Sequence, residues 1–183
     1  MSLKQRLHAH GWFILVNALV AMLVACRYFS FLPEFPSEPL AVVFIIVSVF
    51  GQMTLIAALI GLVALPSIFL PKNPRNILQA VVASVGMAAL FIDTIVFAQY
   101  RFHINAVVLE LVLSGQIVSF PLITWVMVIG GIALLLGLQW ALIRWLENDA
   151  PVRSYKLGRK FAFVTFLTLL ATHGIHIWAA AHA

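Results

Sequence analysis

Five runs of predominantly apolar residues, at about 11–29, 40–65, 76–100, 121–145 and 161–181, constrain this sequence more than any other feature. Each run is long enough to cross a hydrocarbon core of about 30 Å as a helix. Inside that core every backbone N–H and C=O needs an internal partner, which continuous apolar runs of this length satisfy by forming helices. The spans and their connections use nearly all of the 183 residues; 63% of the chain is hydrophobic, 9% is charged, and the mean hydropathy is +1.08. The fold class is therefore all-α: a polytopic membrane protein built as a five-helix bundle, one domain over 1–183, with no soluble domain of useful size.

The connections divide into three kinds. Residues 30–39 are rich in proline and carry Glu34 and Glu38, as an exposed loop does, and Pro66 and Pro71 close the second span ahead of a basic turn, Lys72-Asn73-Pro74-Arg75. From about 101 to 120, Val107, Val108, Leu111 and Val112 alternate with His103, Asn105, Glu110 and Gln116, the pattern of a helix lying in the interface between the third and fourth spans. The most polar segment is 147–160. Small residues at four-residue spacing, Ala80-Ser84-Ala88 and Ala133-Gly137-Ala141, mark faces where helices can approach closely. Leu23-Val24-Ala25-Cys26 has the form of a lipoprotein cleavage box. The run is long for a signal segment, however, and continues through Arg27-Tyr28-Phe29 like an interfacial anchor, so an uncleaved first helix is expected.

Basic residues set the orientation. Lys4, Arg6, Lys72, Arg75, Arg144, Arg153, Lys156, Arg159 and Lys160 fall on one side of the membrane, and only Arg27 and Arg101 on the other. The positive-inside rule then places the N-terminus in the cytoplasm and the C-terminus outside. The net charge of +5 is a topology signal and not a nucleic-acid signal. Arg153, Lys156, Arg159 and Lys160 form a basic group suited to cytoplasmic lipid headgroups.

Asp93 stands inside an apolar run, and an ionised carboxylate there costs several kcal/mol unless it is paired or reaches water. At about 1.5 Å per helical residue, Asp93, Arg27, His173 and His176 lie at similar depths, roughly 20–26 Å along their spans. This predicts a polar intramembrane cluster on the first, third and fifth helices, with Asn17 nearer mid-membrane as an interhelical hydrogen bond. It serves either as a structural ion pair or as a pocket for a headgroup or partner. Arg101, His103 and Asn105 follow as an interfacial motif.

His173-x-x-His176 places two imidazoles on one helix face, a metal-capable spacing that alone is two ligands short of a site. There is no nucleophile elbow, glycine-rich phosphate cradle or pair of intramembrane carboxylates. No catalytic residue, metal or cofactor is expected from the residues. A small metal- or haem-binding redox protein using His173 and His176, and a transporter or channel subunit dependent on Asp93, stay open as alternatives.

Gly11-Trp12-Phe13 with Asn17 and Arg27-Tyr28, then Gly86-Met87, Asp93, Val96-Phe97, His103-x-Asn105 and Leu111-Val112, and finally His173 with Ile177-Trp178-Ala179, resemble the N-terminal membrane domain of the YejM (PbgA) family. The resemblance covers essentially the whole chain and is best at 93–105. It implies a bacterial inner-membrane protein with five membrane helices followed by a periplasmic sulfatase-like domain of the alkaline phosphatase superfamily. It further implies sensing of lipopolysaccharide-type lipids, control of lipopolysaccharide synthesis through an inner-membrane regulatory adaptor, and binding of cardiolipin. After the fifth-helix Trp178 the family continues with an Asp and an Asn, where this chain has Ala180 and His182. The sulfatase-like domain lies beyond these 183 residues, so the chain is expected to be the anchor and regulatory module and not itself an enzyme.

Overall fold

The computed structural model describes residues 2–107, 110, 114, 122–148 and 155–182. They form α1 (Leu3–Phe29), α2 (Pro39–Ala64), a 3₁₀ turn (Leu65–Phe69), α3 (Lys72–Tyr100), α4 (Leu122–Asn148) and α5 (Tyr155–His182), with no strand among the described residues. Leu3–Phe29, Pro39–Phe69, Lys72–Tyr100 and Val126–Asn148 are each long and apolar enough to cross a membrane, and α5 adds a 28-residue helix. The molecule is a helical membrane bundle. Of the expected interfacial segment, Ala106, Val107 and Glu110 are helical; most of 108–120 lies outside the described residues.

The helices overrun the apolar runs because polar residues at their ends have local partners. The basic lead belongs to α1: the Ser2 hydroxyl accepts from the Gln5 N–H while the Gln5 side chain accepts from the Ser2 N–H, a reciprocal capping box. The expected turn at 72–75 is the first turn of α3. Pro74 is tolerated there because first-turn N–H groups have no intrahelical acceptor to lose. At the other end of the preceding helix Pro66 has no N–H to donate, so α2 tightens into the 3₁₀ turn and the Leu65 N–H bonds to Leu62 O. Gly61 O is thereby left without its usual donor four residues on.

α1 is the axis of the bundle, and each of the other four helices packs against it. Its Phe13, Ala18, Ala21 and Ala25 are fully enclosed. α1 and α2 approach so closely that a Cβ at Gly61 would stand 2.3 Å from Ile14 Cγ1. Ala80 and Ser84 of the first small-residue face are buried with Ala83 and Met87. The second face differs: Ala133, Gly137 and Ala141 point outward, and a Cβ at Gly137 would meet nothing within 4 Å. α4 instead engages α1 and α3 through Gln139, Ile143 and Leu146, at its far half. On the opposite flank, Thr172 Oγ1 of α5 lies 3.0 Å from Val47 O of α2.

Candidate functional site

Polar groups buried in a membrane bundle gather where several helices can satisfy them, and this chain does so at two ends and once between. In the middle, Asn17 is wholly enclosed; its Nδ2 donates to Phe13 O at 2.9 Å, and Gln139 Nε2 of α4 donates to Asn17 Oδ1 at 2.8 Å. This fixes the register of α1 against α4.

The first end is where α1 and α3 begin. Glu147, on the last turn of α4, accepts from the Arg75 guanidinium and from Asn76 Nδ2 at 3.0 Å, with Lys72 Nζ at 3.3 Å. Its carboxylate and the Arg75 side chain are 5% and 6% exposed. The three donors stand on one face of the first turns of α3, at the spacing that makes helix neighbours. Arg6 of α1 donates to Ile68 O at 2.8 Å and Leu70 O at 3.2 Å, closing the carbonyls of the 3₁₀ turn. His10 Nε2 donates at 2.9 Å to Gly61 O, which the Leu65 N–H leaves for Leu62 O, and its Nδ1 accepts from Gln79 Nε2 at 3.2 Å. One imidazole thus ties α1, α2 and α3 together. The sequence placed Arg6, Lys72 and Arg75 in the topology count and Glu147 in a polar connection; their pairing needs the tertiary fold.

The second end is where α1 and α3 finish. Asp93 accepts from the Tyr28 hydroxyl at 2.5 Å, from His103 Nδ1 at 2.7 Å and from the Ile104 N–H at 2.6 Å. The chain can return on itself because Arg101 caps α3 in the left-handed conformation, at φ 60°, which brings 102–104 back over the last turns of the helix. The Arg101 guanidinium donates to Phe31 O at 2.7 Å and lies over the Phe31 ring, 5.8 Å from its centre. His103 stacks on Phe97 with 4.7 Å between ring centres, and Phe97 meets Tyr28 edge to face. Beside this frame a cavity of about 360 Å³ opens between α1, α2 and α3. Its wall is apolar along Ile45, Val49 and Ile56, and its polar margin comprises Asp93, Arg101, His103 and Gln52.

The partners of Asp93 differ from those the shared-depth arithmetic anticipates. Arg27 does not reach it: the side chain is exposed, with its guanidinium 5.6 Å from the Phe91 ring centre. Neighbouring helical residues point about 100° apart, so the turn that brings Tyr28 onto α3 carries Arg27 away from the carboxylate. His173 is exposed on α5, and α5 packs on α1 and α2 and not beside Asp93. The side chain of His176 lies outside the described residues. Depth alone assigns a level along the bundle; azimuth decides contact. Tyr28 carried a usable signal, a hydroxyl-bearing aromatic at the level of a buried acid. Asn105 is exposed, one residue past the turn that holds Asp93. Of the basic group, Lys160 is exposed on α5, Arg153 lies outside the described residues, and so do the side chains of Lys156 and Arg159.

Among the described residues no group of three or more His, Cys, Asp or Glu side chains is placed to hold a metal ion. What the Asp93 end offers is a rigid carboxylate frame that orients one imidazole and one guanidinium at the mouth of an apolar cleft. That combination suits an amphiphile with an acidic or hydrogen-bonding head.

A family described as "Domain of unknown function (DUF3413)" matches residues 1–183. The chain is 30% identical over 175 residues to the inner membrane protein YejM of Salmonella typhimurium strain LT2, and equally to that of Salmonella typhi. It is 26% identical over 175 residues to an uncharacterized protein of Haemophilus influenzae. In each case 93% of this chain is covered, but the chain spans only 30% of the relative's length. The chain belongs to the DUF3413 family, the membrane domain that makes up the N-terminal part of YejM proteins.

Proposed function

We propose that this chain is the membrane anchor and lipid-responsive regulatory module of a YejM-like inner-membrane protein, and that it carries no catalytic step of its own. The observation behind this reading is the cleft of about 360 Å³ at the Asp93 end, an apolar slot with cationic and hydrogen-bonding groups at its mouth. Such a slot recognises lipid. The YejM resemblance supplies the biological setting: lipopolysaccharide or cardiolipin as the lipid sensed, and an inner-membrane adaptor protein as the partner whose control adjusts lipopolysaccharide synthesis.

The basic residues orient the module with its N-terminus in the cytoplasm, its C-terminus in the periplasm, and Arg153, Lys156, Arg159 and Lys160 against cytoplasmic headgroups. The Asp93 end then faces the periplasmic leaflet and the Glu147 end the cytoplasmic one. The bundle between them couples lipid occupancy to the partner.

The test is affinity purification of the chain, cross-linked in the membranes of a Gram-negative host, with proteins and lipids of the eluate identified by mass spectrometry. The expected result is co-purification of an inner-membrane adaptor together with acidic lipid. Recovery of neither would overturn the proposal. With Cys26 replaced by Ser, labelling of single cysteines introduced at Ser2 and Ala180 from outside spheroplasts is expected to modify only the second.

A further inference from the structure

Two features of the Asp93 end are used only in part by the bundle itself. Arg101 is the only described non-glycine residue with positive φ. Glycine is the usual occupant of such a helix-terminating position, and a strained residue held there marks a site where the side chain matters. Here the side chain is a guanidinium at the lip of the cavity, and Phe31 O takes only one of its five N–H groups. Beside it, His103 has its Nδ1 committed to Asp93, which leaves Nε2 as the ring nitrogen to meet a ligand; the side chain is 63% exposed.

The second feature is Gln52, which lines the same cavity from α2 although it sits in the middle of an apolar helix. Among the described residues its amide has no hydrogen-bond partner, and a polar group facing hydrocarbon marks a functional position. Its depth follows from the packing. Ile14 meets Gly61, and α2 runs back along α1, so Gln52 is level with Leu23, about 7 Å inward of Tyr28 at about 1.5 Å per residue. The cavity therefore has cationic donors at its lip, an amide roughly one glycerol unit deeper, and apolar walls along its length.

We infer that this cavity binds one anionic glycerophospholipid, with the phosphate at Arg101 and His103, an ester carbonyl at Gln52 and an acyl chain against Val49 and Ile56. The inference rests on the lipid-responsive reading above and adds the place in the bundle where the lipid sits and the groups that read it. A phosphate accepts several N–H donors at once, which suits the Arg101 fork; the imidazolium form of His103, with its Nδ1–H on Asp93, adds an Nε2–H. The Gln52 amide donates to the carbonyl, a contact that a free fatty acid or a lone phosphate ion cannot make together with the first.

The experiment is native mass spectrometry of the full chain after delipidation in detergent and addition of equimolar phosphatidylglycerol and phosphatidylcholine. One phosphatidylglycerol is expected to stay bound under activation that strips phosphatidylcholine. Arg101→Gly, which suits the backbone at φ 60°, is expected to reduce the retained fraction about tenfold with the melting temperature unchanged or raised. Gln52→Leu, which keeps the side-chain volume, is expected to reduce it about fivefold while the protein stays folded. Equal retention of the two lipids, or phosphatidylglycerol retention untouched by Gln52→Leu, would overturn the site. Loss of the adaptor from the cross-linked eluate while these lipid results hold would instead strike the regulatory reading and leave the site standing.

Discussion

At the end where α1 and α3 begin, Glu147 is surrounded by Lys72, Arg75 and Asn76, and the space left beside them is about 10 Å³, enough for a single water. At the end where those helices finish, Asp93 has three donors of its own, yet it stands at the edge of a cleft of about 360 Å³ with Arg101, His103 and Gln52 around it. Both are carboxylates on membrane helices, held by about as many partners. The difference lies in what the partners have left over. Around Glu147 the donors come from one helix face and converge on one acceptor, so the contact fixes α4 on α3. Around Asp93 the donors are the Tyr28 hydroxyl, the Ile104 N–H and His103, whose second ring nitrogen is left over, so the contact orients the imidazole for something else.

Removing Glu147 should have the largest effect on stability. Glu147→Ala leaves Arg75 buried without a counter-charge and is expected to destabilise the bundle by about 3–5 kcal/mol, read as a shift in the SDS or thermal unfolding midpoint in detergent. If its effect equals that of Asp93→Ala, the contrast between a locked and an open end is wrong. Asp93→Ala is expected to cost less, about 2 kcal/mol, because the carboxylate is 16% exposed and water can reach the abandoned donors. Tyr28→Phe removes one hydroxyl donor and keeps the ring on Phe97, so about 1 kcal/mol is expected in the same assay. Arg27→Ala should be the smallest, about 0.5 kcal/mol or less, since only an exposed cation–π contact is lost. A large effect at Arg27 with none at Tyr28 would restore the shared-depth ion pair that the structure replaces.

Fold class was legible in the sequence because the bilayer imposes a length on apolar runs, and every run became a helix. Helix ends were not. Lys72-Asn73-Pro74-Arg75 reads as a turn by composition, but proline is permitted in a first helical turn and the neighbouring charges found Glu147, more than seventy residues away. The level of Asp93 was readable from rise per residue. Its partners were not, because one residue of azimuth separates Tyr28, which binds it, from Arg27, which does not. Ala133, Gly137 and Ala141 show the same limit: small residues permit a close approach without stating which helix makes it. The end of the second span at Pro66 was visible, whereas the use of the freed Gly61 carbonyl by His10 required knowing that the two helices touch.

The central position of α1 bears on how the chain is made. α1 leaves the ribosome before the four helices that pack against it. Asn17 receives its donor from Gln139, and Arg75, just past the second helix, waits for Glu147. Until α4 emerges, α1 therefore sits in lipid or at the translocation channel with a buried amide unsatisfied, and Arg75 stands at the interface without its acid. Assembly of the bundle is postponed until α4 is inserted. Chains stalled or cut before about residue 148 should then be handled as unassembled membrane segments and degraded, while chains that pass that point acquire both register contacts within a single helix insertion.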